Sequence, residues 1–401
     1  MPTPAKSARA DTNHPLEFID TSFENASPVW YEIAPDGTVL VHLLYDHERS
    51  SPNRAAGHIH FQLHAKPGSK LTLEFRNLDN VWNGVSGSIA RELKAVVVSQ
   101  DGQQWRSVPL ESQPENRVQL RVEMPGSRLY VARVEPYRLS DLDQFLAGIR
   151  TNRLVEVSVI GRSVQGRELE MIRVGNPHAP FRVFLRARAH PWESSGNWVV
   201  EGLVDRLLES DATNYLERYC VYILPMANKD GVALGRTRFN LQGKDLNRGW
   251  NKPADSELAP ENFALEQWLE RMIRAGQAPQ LALELHNDGN GLLHISRPPV
   301  PELARYLERM ATLEQLLRKH TWFTEGSTKE SFRNSGTLGD GWLERYHIDA
   351  VVHEFNCNWI AGLKDYPSAQ HWRSYGEKLA TVYYEYFGSL KPPEDPREQK
   401  P

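Results

Sequence analysis

Apolar and polar positions alternate through the first third of the chain. In HIHFQLHA, Ile59, Phe61 and Leu63 fall on one side, and in KLTLEF the residues Leu71, Leu73 and Phe75 do the same. Val118, Leu120 and Val122 give one more alternating strand. Pro67-Gly68, Asp36-Gly37 and Asp101-Gly102 mark turns between such runs. Short strands at this spacing, with no helical period among them, predict an antiparallel β-sandwich domain over residues 15–135.

From residue 136 the period changes. The apolar runs FRVFLRA, YCVYILPM, QLALELH and AVVHEF read as buried strands. Between and after them, ENFALEQWLERMIRAG, PELARYLERMATLEQLLRKH and SAQHWRSYGEKLATVYYEYFGSL repeat apolar residues at helical spacing. Residues 136–390 are therefore expected to form an α/β domain, a mainly parallel mixed sheet with helices on both faces. The first 14 or so residues and the tail KPPEDPREQKP are polar and Pro-rich, which predicts disorder. No repeat of 20–50 residues is present.

Composition narrows the function classes. A length of 401 residues fits two domains. A net charge of −4 leaves no basic excess to neutralise phosphates, so no nucleic-acid partner is expected. The start MPTPAKSARADTNHP has no apolar run, and no segment approaches the roughly 20 apolar residues of a membrane span. Cys220 and Cys357 are too few for a disulfide framework, which points to a reducing compartment. A soluble, cytoplasmic protein without a membrane partner is the expectation.

The stretch FLRARAHPWESSGNWVVEGLV carries the first candidate chemistry. Pro191 cannot donate a backbone hydrogen bond, so a strand should end about there, and Ser194, Ser195 and Asn197 suit a helix entry. His190 and Glu193 then sit in a turn at a strand's carboxyl end, where open α/β sheets hold ligands. His286 ends another strand, in LALELHND. Two histidines and a carboxylate make an open zinc site, although His-x-x-Glu also arises by chance. In NKDGVALGRTRFNLQGKDLNRGW, a loop presents Arg238, Asp245, Asn247 and Arg248. It reads either as a solvated polar loop or as a grip on a carboxylate, since a guanidinium beside a carboxamide offers bidentate donors. Glu354, in VVHEFNCNW, is an acid in an apolar strand, either functional or the partner of an arginine.

Taken together, these segments resemble the zinc carboxypeptidases of the carboxypeptidase A superfamily. His-x-x-Glu, Arg…Asp-x-Asn-Arg, His and Glu occur in family order over roughly residues 15–390. ARAHPWE and the Asn-x-Asp-Gly-Val…Gly-x-Asp-Leu-Asn-Arg-x-Trp pattern are similar to the cytosolic carboxypeptidase branch, which also carries a sandwich before its catalytic domain. EPYRLSDLDQFL looks like that branch's interdomain junction. The resemblance implies one zinc per chain on His190, Glu193 and His286. It implies Glu354 as general base, Arg238 at the oxyanion, and Asn247 and Arg248 on the substrate's terminal carboxylate. Asp245 would orient His190. The substrates it implies are peptide or protein C-termini. Because eukaryotic members trim glutamates, an acidic terminal residue is a further expectation, with Arg333, Arg297 or Arg186 as the pocket cation.

Two departures stand out. Trp192 occupies the position where the branch usually has glycine, which predicts a bulkier wall. Phe332 aligns with the mobile tyrosine of the digestive enzymes, so a phenolic hydroxyl would be missing. Elsewhere, His58, His60 and His64 share a strand face and read as solvated rather than as a second metal site. The eleven tryptophans read as packing. Asp288 and His294 are candidates to line the pocket or only to shape its loop. Two other functions remain open: an N-acyl amino acid deacylase of the aspartoacylase type, and a zinc-retaining binding scaffold without catalysis. An intact Glu354 and Arg238 weigh against the scaffold, and the leading sandwich weighs against the deacylase. The oligomeric state is not indicated.

Overall fold

The computed structural model describes residues 14–47, 53–82 and 84–390. The terminal segments expected to be disordered fall outside the described residues, apart from His14. Two five-stranded sheets come first. One holds the strands Leu16–Asp20, His60–Ala65, Arg128–Ala132, Ala95–Ser99 and Arg106–Pro109; the other holds Glu111–Gln113, Arg117–Glu123, Lys70–Arg76, Val39–Leu43 and Val29–Ile33. Their inward residues are the alternating ones: Phe61, Leu63, Leu73, Phe75, Val118 and Leu120 meet in a single core. Period-two patterning dictates this, because every second side chain of a strand faces the same way.

The sandwich is not purely antiparallel. Val39–Leu43 pairs with Lys70–Arg76 in parallel. The cause lies in the turn at Pro67-Gly68, which does not close a hairpin: His60–Ala65 belongs to one sheet and Lys70–Arg76 to the other. The chain leaves one sheet, crosses the core and returns in its original direction, the kind of connection a parallel pair requires.

Residues from 137 onward build the second unit. A seven-stranded sheet runs in the order Val155–Arg162, Glu168–Val174, Tyr219–Leu224, Phe181–Ala187, Leu281–Asp288, Asp349–Asn356, Leu293–Ile295. Its four central strands are parallel; the outer ones are antiparallel. Alternate residues feed two cores. Val183, Leu185, Leu281, Leu283 and Val351 pack with the helices Ser195–Leu208, Leu303–His320 and Ala369–Gly388. Phe184, Ala282 and Ala350 pack with Pro260–Arg274 and Leu338–Tyr346. Helices thus cover both faces, which is why the central strands read as continuous apolar runs. No helix among the described residues is long and apolar enough to cross a membrane.

Candidate metal centre and its pocket

The strand Phe181–Ala187 stops earlier than Pro191. Arg188 already has φ of 59°, a left-handed conformation that costs a non-glycine residue about 1–2 kcal/mol. Its buried guanidinium is anchored on the carbonyl of Tyr137 at 2.8 Å, and burial pulls its pKa down to about 9. The helix Ser195–Leu208 follows at once, but Ser194 does not cap it: its hydroxyl donates to the carbonyl of Glu135. The first helical N–H, from Ser195, is instead received by Asn287 Oδ1. The turn carrying His190 and Glu193 is therefore clamped from both sides.

His190, Glu193 and His286 converge in that turn, with one potential ligand atom from each within 4.8 Å of the others. His190 Nδ1 lies 2.8 Å from Glu193 Oε1, and His286 Nδ1 lies 2.6 Å from Glu193 Oε2. Both rings are held at the opposite nitrogen. Asp245 Oδ1 is 3.1 Å from His190 Nε2, and Glu284 Oε1 is 3.2 Å from His286 Nε2. A carboxylate behind each histidine fixes its tautomer and turns the other nitrogen inward. Electrostatics agree. Burial alone would raise the Glu193 carboxyl, but His190 and His286 hold it below its usual range. Against the same burial, Glu193 and Glu284 push the His286 imidazole well up. Burial opposes ionisation of Asp245 too, yet Arg238 and His190 keep its carboxyl well down. Three nitrogen and oxygen donors, buried and ringed by carboxylates, suit a zinc ion.

A pocket of about 250 Å³ opens over this centre. Glu354 reaches it from the neighbouring strand, paired in register with His286. Its Oε2 is buried with no hydrogen-bond partner, and burial, reinforced by Asp288, raises its carboxyl well above the usual range. His294, 3.8 Å away from its other oxygen, is pushed down to about 4 by burial, with His286 and Arg248 adding to it. Phe332 also lines the pocket, with its ring 4.8 Å from that of His294. Asp288 is on the same wall.

The loop after the strand Tyr219–Leu224 brings the remaining candidates to the pocket. Arg238 donates through Nε and Nη2 to Asp245 Oδ2, at 2.9 and 2.7 Å. Asp245 thereby links the arginine to His190. Arg248 lines the pocket; burial lowers its pKa, and its Nη1 donates to the carbonyl of Asn247. Asn247 Oδ1 accepts from the Leu338 N–H, and its Nδ2 lies 3.1 Å from His286 Nε2, the nitrogen that faces Glu284.

Other expected residues lie elsewhere. Arg333 is exposed and donates to the carbonyls of Glu330 and Phe332, outside the pocket lining. Arg297 donates to the carbonyl of Ile295 and does not line it either. Arg186 is fully buried, with Nε on Glu284 at 2.8 Å and further bonds to Asn262 and the carbonyl of Leu246. His58 and His60 are not solvated: both are buried against Asn25, because residues 23–27 cover that face. The pocket also contains residues that sequence reasoning passed over. Trp82, Ile89, Glu92 and Arg133 all come from the sandwich. Arg133 explains the unusual Trp192, since its guanidinium lies over the indole at 3.4 Å.

Similarity to known proteins follows the same geometry. Residues 142–293, within the second unit, match the family model described as zinc carboxypeptidase. Human cytosolic carboxypeptidase 4 is 34% identical over 135 residues, 33% of this chain and 12% of that protein. Cytosolic carboxypeptidase 6 of Caenorhabditis elegans is 39% identical over 133 residues, 31% of this chain and 29% of that protein. The matched stretch is therefore well under two thirds of these relatives' length. Among solved structures, a metallo-carboxypeptidase from Burkholderia cenocepacia superposes with a TM-score of 0.79 at 19% identity, covering 93% of this chain and 99% of the other. A metallo-carboxypeptidase from Pseudomonas aeruginosa, in complex with (2-guanidinoethylmercapto)succinic acid, gives 0.78 at 22% identity, covering 93% and 100%. At these identities the two structures share the fold.

Proposed function

We propose that this protein is a zinc metallocarboxypeptidase that hydrolyses the C-terminal peptide bond of peptides or proteins. The observation that carries the proposal is the convergence of His190, Glu193 and His286 beneath a pocket lined by Glu354, Arg238 and Arg248. Zinc on those three residues would supply Lewis acidity to the scissile carbonyl and lower the pKa of the attacking water. The chain's own residues do the rest. Glu354, raised by burial, takes the proton of the attacking water and returns it to the leaving amine. Arg238 presents its guanidinium to the negative charge developing on the carbonyl oxygen, while Asp245 holds that arginine and His190 together. Arg248 grips the terminal α-carboxylate. Asn247, whose Oδ1 accepts from the Leu338 N–H, lines the pocket beside Arg248 and offers its Nδ2 to the same carboxylate.

The finer expectation, an acidic terminal residue, would rest here on Arg133, because Arg333, Arg297 and Arg186 do not line the pocket. Glu92 and Asp288 are part of the same lining and oppose it. A cytoplasmic setting is the reading that the relatives' name supports. The separate cores support domains at 15–135 and 136–390.

A peptide panel tests the activity. Free-acid peptides varied at the last residue should be cleaved from the C-terminus by protein carrying about one zinc per chain. Their amidated forms should react at least about tenfold less efficiently, since Arg248 then faces no carboxylate and each 1.4 kcal/mol is a factor of ten. Arg248→Ala should narrow that difference. Equal cleavage of amidated peptides defeats the carboxypeptidase reading, and faster hydrolysis of small N-acyl amino acids would favour a deacylase.

A further inference from the structure

The backbone around Arg238 is fastened by the sandwich. The N–H groups of Thr237, Arg238 and Phe239 all donate to one carboxylate, Asp46, at 2.6, 2.5 and 3.0 Å. Asp46 is 3% exposed. The His58 N–H donates to Thr237 Oγ1, again from the sandwich side. Beyond the backbone, the Arg238 guanidinium lies over the indole of Trp82, 4.4 Å from the ring centroid. Asp245 holds the guanidinium from within the catalytic unit.

We infer that Asp46, together with Trp82, positions Arg238 for catalysis, which makes the sandwich a working part of the active site. The inference rests on the function proposed above. Three successive amides converging on one buried carboxylate fix both the path of the loop and its direction, because charge-assisted bonds are shorter and stronger than neutral ones. A carboxylate serving only to glue two surfaces could take its donors anywhere along the seam. Here the three donors are the arginine and its immediate neighbours. The guanidinium is then aimed by a flat aromatic face on one side and a carboxylate on the other. Such aim matters, since a group meant for a developing oxyanion acts only where that charge forms, and a misplacement of about 1 Å can cost about a hundredfold in rate.

The test uses the full chain loaded with zinc. Asp46→Asn keeps the size but places an amide N–H₂ against donors. It should lower kcat by about tenfold to a hundredfold, leave KM within about twofold, and retain zinc. In an Arg238→Ala background the same change should alter kcat by less than about twofold, because the residue it positions is gone. Amide exchange at residues 237–239 should quicken by at least about tenfold in Asp46→Asn, a readout independent of turnover. If Asp46→Asn does not fold, Trp82→Leu enters the same cycle with the same expectation. A kcat unchanged by either folded variant, or lowered by equal factors in both backgrounds, overturns the inference while leaving the enzyme reading intact. A wild type that cleaves no peptide overturns the enzyme reading first.

Discussion

The two walls of the pocket are built on different principles. The ligand wall stands on regular structure: His190 and Glu193 follow a central strand, His286 and Glu354 lie within two others, and buried carboxylates brace both imidazoles. The arginine wall is a loop, and much of its order is borrowed. Asp46 serves three of its amides, His47 Nε2 lies 3.1 Å from the Asn240 carbonyl, and Asn53 donates to the carbonyl of Gly243. Asn25 donates to the carbonyl of Val232 just upstream. The loop also bonds to itself, as at Asn240 and Lys244, but the amides at Arg238 find their partner in the sandwich. The candidate metal ligands are thus carried by strands of the α/β unit and the turn that follows one, whereas the backbone that bears Arg238 is fastened by the sandwich.

The largest effect should come from the ligand wall. Glu354→Gln should keep zinc and fold yet lose about 10²–10⁴-fold in kcat, the usual worth of a positioned general base. Stopped or steady-state peptide assays with metal analysis check it, and near-normal turnover would reassign Glu354 to structure. Glu284→Gln sharpens the contrast. It strips the support from His286 and leaves Arg186 buried without its partner. Zinc affinity should fall about 10–100-fold and unfolding stability by about 3–5 kcal/mol, measured by metal titration and denaturant midpoints.

The last effect concerns the seam that supports the arginine wall. Burial holds His58 down to about 4, with Arg188 and Arg133 adding to it, and His60 down to about 3, with His58 and Arg138 adding to it. Between pH 6.5 and those values the unfolded chain binds protons that the folded chain refuses, so stability should fall as pH drops through this window. The loss should be on the order of 2 kcal/mol per histidine at pH 5, about 4 kcal/mol for the two. Asp46, whose carboxyl burial raises, works against the trend. His60→Gln should flatten the slope of denaturant midpoint against pH; an unchanged slope would show that the pair does not govern it.

Legibility followed the range of the interactions. FRVFLRA, QLALELH and the three long helical runs were readable because burial by nearest layers leaves a periodic trace. The convergence of His190, Glu193 and His286 was legible because histidines and a carboxylate at strand ends are the residue types a metal site would need. Glu284 left a usable signal that went unread: an acid two residues before His286 faces the same way, directly across from Arg186 on the adjacent strand. Asp46 left none, since its donors lie some 190 positions away and are backbone amides, which any residue supplies. His58 and His60 misled for a related reason. Alternation shows which residues share a face, but only the packing of residues 23–27 decides whether that face is wet. Arg333 was placed by alignment in a loop whose path no local pattern determines.

His286 and Glu354 sit opposite each other on parallel neighbours. Their separation is therefore written into a hydrogen-bond ladder, and a slip of one residue would turn the base to the far side of the sheet. Between the two strands, Leu293–Ile295 joins the sheet beside Glu354, whereas the Leu303–His320 helix and the segment bearing Phe332 lie outside the ladder. Changes of length or sequence confined to that helix and segment should therefore leave the pairing of His286 with Glu354 in place.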